Sequence, residues 1–249
     1  MPIENSKDSA RKIIISKDGP YLVCGNLPLN KEIIVPDKNG DSSVWQKGEK
    51  YPDKETYALC RCGNSSSKPY CDGAHAKIGF NGTETARRKN YIDQAETIEG
   101  PRLVLNDAVK FCSRARFCHN KVGDVWTHAE KSGDLKSKEA AVNMACKCSA
   151  GRLVAFDKET GKTIEPKFEP SVSLVEDPEK KVSGPVWVKG GVKVESSNGK
   201  SYEVRNRVTL CRCGQSNNKP FCDGCHIDAG FNDGDESLRK KQKASKTKG

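Results

Sequence analysis

Val192, Val194, Tyr202 and Val204 place apolar side chains at alternate positions on either side of Asn198-Gly199. That alternation is the mark of a half-buried hairpin, and Asn-Gly is its favoured two-residue turn. A second Asn-Gly pair, Asn39-Gly40, stands in the first third of the chain. The stretches GPYLVCGNLPL (19–29) and GPVWVKGGVKV (184–194) open the two regions in the same way. Further on, each region carries a Gly-Phe-Asn string, Gly79-Phe80-Asn81 and Gly230-Phe231-Asn232. The repeat predicts two small β-rich modules, over 13–82 and 184–235.

Between them the pattern changes. NDAVKFCSRARFC (106–118) and SKEAAVNMACKC (137–148) read as short helices, with Asn106 or Asp107 and then Ser137 as N-caps. LVAFDKETGKTIEP (153–166) reads as a hairpin, and the proline-containing stretch 166–185 as an extended linker. The expected fold class is α+β, with a helical insert over 106–166 separating the modules and a basic, disordered tail over 236–249.

Composition adds a constraint. Only 35% of the 249 residues are apolar and 6% are aromatic, a thin supply of core. Small modules of that kind need staples such as metals. Twelve cysteines fall below the density of a disulfide scaffold, about 8–10%. The first residues, MPIENSKDSARK, show no apolar leader, and no run of 18 apolar residues follows. The expectation is a cytoplasmic protein without a membrane anchor, where clustered cysteines mean metal or redox chemistry. The net charge of +10 is weighted to SLRKKQKASKTKG (237–249), with six basic residues and no acid. A solvated tail is the plain reading; nucleic acid is not the expected partner, since no nucleic-acid fold motif accompanies it.

The chemistry is concentrated in two strings, CRCGNSSSKPYCDGAH (60–75) and CRCGQSNNKPFCDGCH (211–226), identical at eleven of sixteen positions. In a strand, residues two apart share a face, so Cys60 and Cys62 can grip one metal. Cys71 and His75 stand four apart, on one face if Asp72 caps a helix starting at Gly73. Cys211, Cys213, Cys222 and His226 repeat the spacing. Two facing pairs suit one tetrahedral zinc or a two-iron cluster, and spacing alone leaves both open.

The full string resembles the CDGSH, or NEET, iron–sulfur family. The match runs over Cys60, Cys62, Ser65, Pro69, Cys71, Asp72, Gly73 and His75, and again over Cys211, Cys213, Ser216, Pro220, Cys222, Asp223, Gly224 and His226. The resemblance implies a [2Fe–2S] cluster on three cysteines and one histidine per motif. Single-motif members form homodimers, so it also implies that this chain pairs its two motifs internally, as a monomeric pseudo-dimer. Ala74 and Cys225 stand where the family name has serine. Cys225 and Cys24 read as small buried side chains. Lys68 and Lys219 are candidates to reach the opposite module's histidine.

A third group, Cys112-x₅-Cys118 and Cys146-x-Cys148, resembles the divergent mono-cluster ferredoxins, although Ser149 replaces their proline. Three cysteines would suit a [3Fe–4S] cluster. Cys146 would complete a [4Fe–4S] or zinc site, and a metal-free spacer with buried cysteines is the other reading. His119 and His128 read as surface residues. No activated nucleophile, carboxylate pair or phosphate-binding loop is visible, so the chain is not expected to be an enzyme. The expected role is electron transfer or cluster transfer to a redox or cluster-acceptor protein. The alternatives are a redox sensor, or a zinc-stabilised module using the basic tail on nucleic acid.

Overall fold

The computed structural model describes residues 11–239. The first module contributes strands β1 (Lys12–Ile15), β2 (Tyr21–Cys24), β3 (Leu29–Pro36), β4 (Ser42–Lys50) and β5 (Thr56–Leu59), then the single-turn helix α1 (Ala74–Lys77). The middle contributes β6 (Glu96–Glu99), β7 (Leu103–Asp107), the two-residue strands β8 (His119–Asn120) and β9 (Gly123–Asp124), helices α2 (Val125–Glu130) and α3 (Leu135–Lys147), β10 (Leu153–Asp157) and β11 (Thr163–Ile164). The second module contributes β12 (Ser171–Asp177), β13 (Val182–Lys189), β14 (Lys193–Ser196), β15 (Arg207–Leu210) and the short helix α4 (Cys225–Asp228). The fold is α+β, with small sheets and few helices.

The two modules share their sheets. One sheet runs β14-β1-β2-β5 and another β15-β13-β12-β3-β4. β14 of the second module lies parallel on β1, with Ile13 opposite Val194. β3 of the first module lies parallel on β12, with Leu174 opposite Lys31. Each sheet is therefore completed by a strand of the other module, which covers an edge that would otherwise be open. Alternation explains what is buried: Ile13 and Ile15 on β1, and Tyr21 and Val23 on β2, face one core together with Val172, Leu174, Val186, Val188 and Val194. Lys189 on β13 donates to Glu32 on the exchanged β3 at 2.9 Å, a buried pair that ties the modules together.

Both Asn-Gly turns form. Gly40 and Gly199 take φ of +84° and +81°, values that glycine adopts without strain. Val192, Val194 and Tyr202 are buried as the alternation predicts, but Val204 is 55% exposed. The stretch expected to be a linker, 166–185, instead holds all of β12 and the start of β13. Every position of β13 is buried, because the core covers one face and Phe117, Trp45 and Phe168 cover Trp187 on the other.

The insert is less helical than expected. A four-stranded sheet, β11-β10-β7-β6, carries α2 and α3 on an apolar face of Leu103, Leu105, Val125, Ala141, Ala145 and Leu153. The expected hairpin over 153–166 is β10–β11. The second expected helix forms as α3, capped by Asp134 rather than Ser137: the Asp134 carboxylate accepts from the Ser137 N–H at 2.9 Å. The first does not form. Asn106 and Asp107 end β7, Val109–Phe111 make one 3₁₀ turn, and 112–118 is a loop in which Arg114 and Arg116 take φ of +54° and +64°. That left-handed backbone is incompatible with a right-handed helix. Residues 236–238 of the expected tail form a 3₁₀ turn with Leu238 buried and Arg239 after it; residues 240–249 lie outside the described residues. Among the described residues no helix is long and apolar enough to cross a membrane.

Candidate metal centres

Each motif is a loop hung from the last strand of its module. Cys60 N–H donates to the Pro69 carbonyl at 2.9 Å and Cys71 N–H to the Ala58 carbonyl at 3.0 Å, so the two ends of the loop run side by side. The second loop repeats this, Cys211 to Pro220 at 2.8 Å and Cys222 to Thr209 at 2.9 Å. Ser65 donates to the Tyr70 carbonyl at 2.6 Å and Ser216 to the Phe221 carbonyl at 2.7 Å, bracing each loop from within. Lys68 and Lys219 donate to the Ser65 and Ser216 carbonyls of their own loops, not to the opposite histidine. The Asp72 carboxylate accepts from Ser66 and from the Ala74 N–H at 2.9 Å; these bonds, led by the Ser66 hydroxyl, hold its pKa well below the usual carboxylate range. It thus holds the start of α1 from the position before the cap, Gly73 itself being the left-handed cap residue at φ +86°.

The donors gather in pairs. Cys60 Sγ and Cys62 Sγ lie 3.8 Å apart, and so do Cys211 Sγ and Cys213 Sγ. Cys71 Sγ lies 3.3 Å from His75 Nδ1, and Cys222 Sγ 3.5 Å from His226 Nδ1. Two thiolates on one tetrahedral metal with bonds of about 2.3 Å are separated by about 3.8 Å, and a thiolate and an imidazole by about 3.5 Å. Every pair therefore has the spacing of two ligands on one metal. Among the described residues, no three His, Cys, Asp or Glu side chains converge on a single ion. Each motif thus offers two donor pairs, each of a size to hold one metal.

Residues 18–76 and 183–227 match the family described as iron-binding zinc finger, CDGSH type. The chain carries two domains of this family. No match to the chain was found among curated proteins or among solved structures. The donor set of each CDGSH-type domain, three thiols and an imidazole in two pairs, fits an iron–sulfur group.

The two domains meet at their loops. A Cβ on Gly63 would lie 2.6 Å from the Cys213 carbonyl oxygen, and one on Gly214 would lie 2.5 Å from that of Cys62. Glycine at both places lets the two motif loops touch. Tyr21 of the first domain donates to the Cys211 and Pro220 carbonyls at 2.9 and 3.1 Å.

Their surroundings differ. Arg61 and Arg212, the middle residues of the two Cys-x-Cys strings, are 2% and 3% exposed. Arg61 donates to three carbonyls, those of Ser16, Gly19 and Gly82. Arg212 instead pairs with two buried carboxylates, Glu176 at 2.8 Å and Asp233. Burial pushes the Glu176 carboxyl up, against the pull of Arg212. It also pushes the Cys222 thiol up and the His226 imidazole down to about 4.

The structure brings three of the four middle cysteines together. Cys112, Cys118 and Cys148 line one cavity, around which the 112–118 loop wraps. Burial, and next the charge of Cys148, push the Cys118 thiol up to about 11, while Arg152 lowers it. Cys146 is not among the cavity residues; its thiol faces the Ile164 carbonyl at 3.6 Å. Ser149 is fully buried, its hydroxyl 3.2 Å from that of Ser113 in the loop. His119 is exposed as expected, but His128 buries its Nε2 without a hydrogen-bond partner. Neither Cys24 nor Cys225 is fully buried, and Cys225 Sγ lies 3.6 Å from Cys213 Sγ. The buried partners Glu176 and Asp233 were not singled out from sequence. Their only sequence sign is the pair of acidic strings Glu176-Asp177 and Asp233-Gly-Asp235, which look like solvated loop residues.

Proposed function

We propose that this chain carries two [2Fe–2S] clusters and transfers electrons, or the clusters themselves, to a redox or acceptor protein. One is held by Cys60, Cys62, Cys71 and His75, the other by Cys211, Cys213, Cys222 and His226. The observation that carries the reading is the duplicated pairing, 3.8 Å between thiols and 3.3–3.5 Å between thiol and imidazole. When bound, such a group accepts and releases one electron at a time. The chain's own residues hold it, shield it and set its charge. Burial of Cys60, Cys62, Cys211 and Cys213 keeps water from the inner thiols. His75 and His226 each put a neutral ligand where a fourth thiolate would add negative charge. The exchanged strands support a monomeric pseudo-dimer in which one chain supplies both halves.

We include in the proposal a third, three-thiolate cluster on Cys112, Cys118 and Cys148, which line one cavity. Cys146, turned to Ile164, is not counted among its ligands.

Metal and sulfide content of protein purified without air tests the whole reading. About four irons and four sulfides per chain are expected from the two motifs, and about seven with a third [3Fe–4S] cluster. Zinc without sulfide would overturn it.

A further inference from the structure

The two CDGSH-type sites have the same donors and unequal covers. His226 is 4% exposed and Cys222 is buried, whereas His75 and Cys71 both keep contact with solvent. The cover over the second site comes from the insert. A Cβ on Gly224 would meet the Arg114 side chain at 2.5 Å, while at Gly73, its counterpart, nothing lies within 4 Å. Arg114 pairs with Asp228 at the end of α4 at 2.8 Å, and Arg116 with the buried Asp177 at 2.5 Å. Phe117, on the same loop, is fixed against Ile34, Val175 and Trp187. Asn218, inside the second ligand loop, donates to the Lys110 carbonyl at 3.0 Å. At the first site an open depression reaches His75, lined by Lys17, Asp18, Ala76, Phe80 and Thr83.

We infer that the first site is the port at which the pair meets its partner, and that the 112–118 loop seals the second. The inference rests on the reading of both motifs as iron–sulfur sites. Its partner is a protein electron or cluster acceptor whose face covers the His75 depression. The second site communicates through the first, because the ligand loops touch at Gly63 and Gly214. It also adjoins the Cys112–Cys118–Cys148 cavity, since the loop that seals it is the loop that lines that cavity. The order along the molecule is thus cavity, sealed site, port.

The test uses the iron-loaded full-length chain purified without air. It is mixed with dithionite, a water-soluble iron(II) chelator and iodoacetamide, and alkylation of Cys71 and Cys222 is followed by peptide mass spectrometry. Cys71 is expected to label at least tenfold faster than Cys222. The Arg114–Asp228 pair is a surface pair, worth up to about 1 kcal/mol. Arg114→Ala should therefore speed Cys222 labelling up to about fivefold and leave Cys71 unchanged. Equal rates in the unaltered chain, or a Cys222 rate that Arg114→Ala does not move, would overturn the seal. If the purified chain holds neither iron nor sulfide, the cluster reading itself fails. Labelling of the bare thiols then still decides whether the second site is covered.

Discussion

Residues 60–75 and 211–226 fold into nearly the same loop, yet one sits at a surface and the other in an interior. The first is buttressed by carbonyl oxygens around Arg61, the second by Glu176 and Asp233 around Arg212. The difference comes from what flanks the loops. Strands β1 and β2 have four residues each, whereas β12 and β13 have seven and eight and bring Glu176 and Asp177 back over their site. The insert then packs Phe117 against the outer face of the second sheet and sets Arg114 over Gly224, whereas nothing lies over Gly73 in the first motif. A motif thus fixes which atoms can bind, while its neighbours fix charge and access.

Breaking the association of the two domains should have the largest effect. A chain ending near residue 105 keeps the first motif but lacks β12 and β14, so β1 and β3 lose their parallel partners. It should dimerise, each copy completing the other's sheets, or precipitate. Sedimentation showing a stable, iron-bound monomer would refute the exchange as a structural requirement.

Next in size are the middle cysteines. Cys112→Ser, Cys118→Ser or Cys148→Ser should each remove about three irons per chain and leave about four. Cys146→Ser should remove none, because that thiol faces Ile164. Equal iron in all four variants and the unaltered chain would leave the cavity empty of metal.

A smaller effect is the pH dependence that His226 adds. In the iron-free chain His226 is held neutral by burial, with a pKa near 4 against 6.5 when unfolded. Between those values the unfolded chain binds the extra proton, so stability should be intact above about pH 6.5 and fall as pH drops toward 4. The loss is on the order of 3 kcal/mol. Urea midpoints across that range should show the fall, and His226→Asn should flatten it. A midpoint unchanged by that substitution would contradict the burial assigned to this ring.

The smallest effect is expected at Cys225. It touches Cys213 but extends the donor set beyond the four shared by both motifs. Cys225→Ala, which restores the residue found at position 74, should leave iron content unchanged. Loss of iron would make it a ligand.

The repeat and both Asn-Gly turns were legible in the sequence, as were the eight thiol and imidazole positions that the structure gathers in pairs, because each is written within a few neighbouring residues. The exchange of strands was not. Pairing Leu29 with Val172 joins residues far apart in the chain, and no local pattern announces it. β12 was obscured by the prolines around it, Pro166, Pro170, Pro178 and Pro185, although Val172 and Leu174 alternate as a strand should. The 112–118 loop failed for a different reason. Its apolar residues carry helical spacing, but left-handed backbone at Arg114 and Arg116 and the packing of Phe117 bend it round a cavity. Tertiary context overrode local preference there, as it does at functional sites.

The central claim is that identical donors are made unequal by their surroundings, and redox titration of the iron-loaded chain tests it most directly. The second site is more buried, and its arginine is over-compensated by two carboxylates, so an added electron is less welcome there. Two one-electron steps are expected, the lower belonging to the second site, with a gap on the order of 60 mV, or about 1.4 kcal/mol. Cys71→Ser should abolish the higher step, and Glu176→Gln should raise the lower one. Coincident potentials, or a lower step that vanishes with Cys71→Ser, would contradict the account.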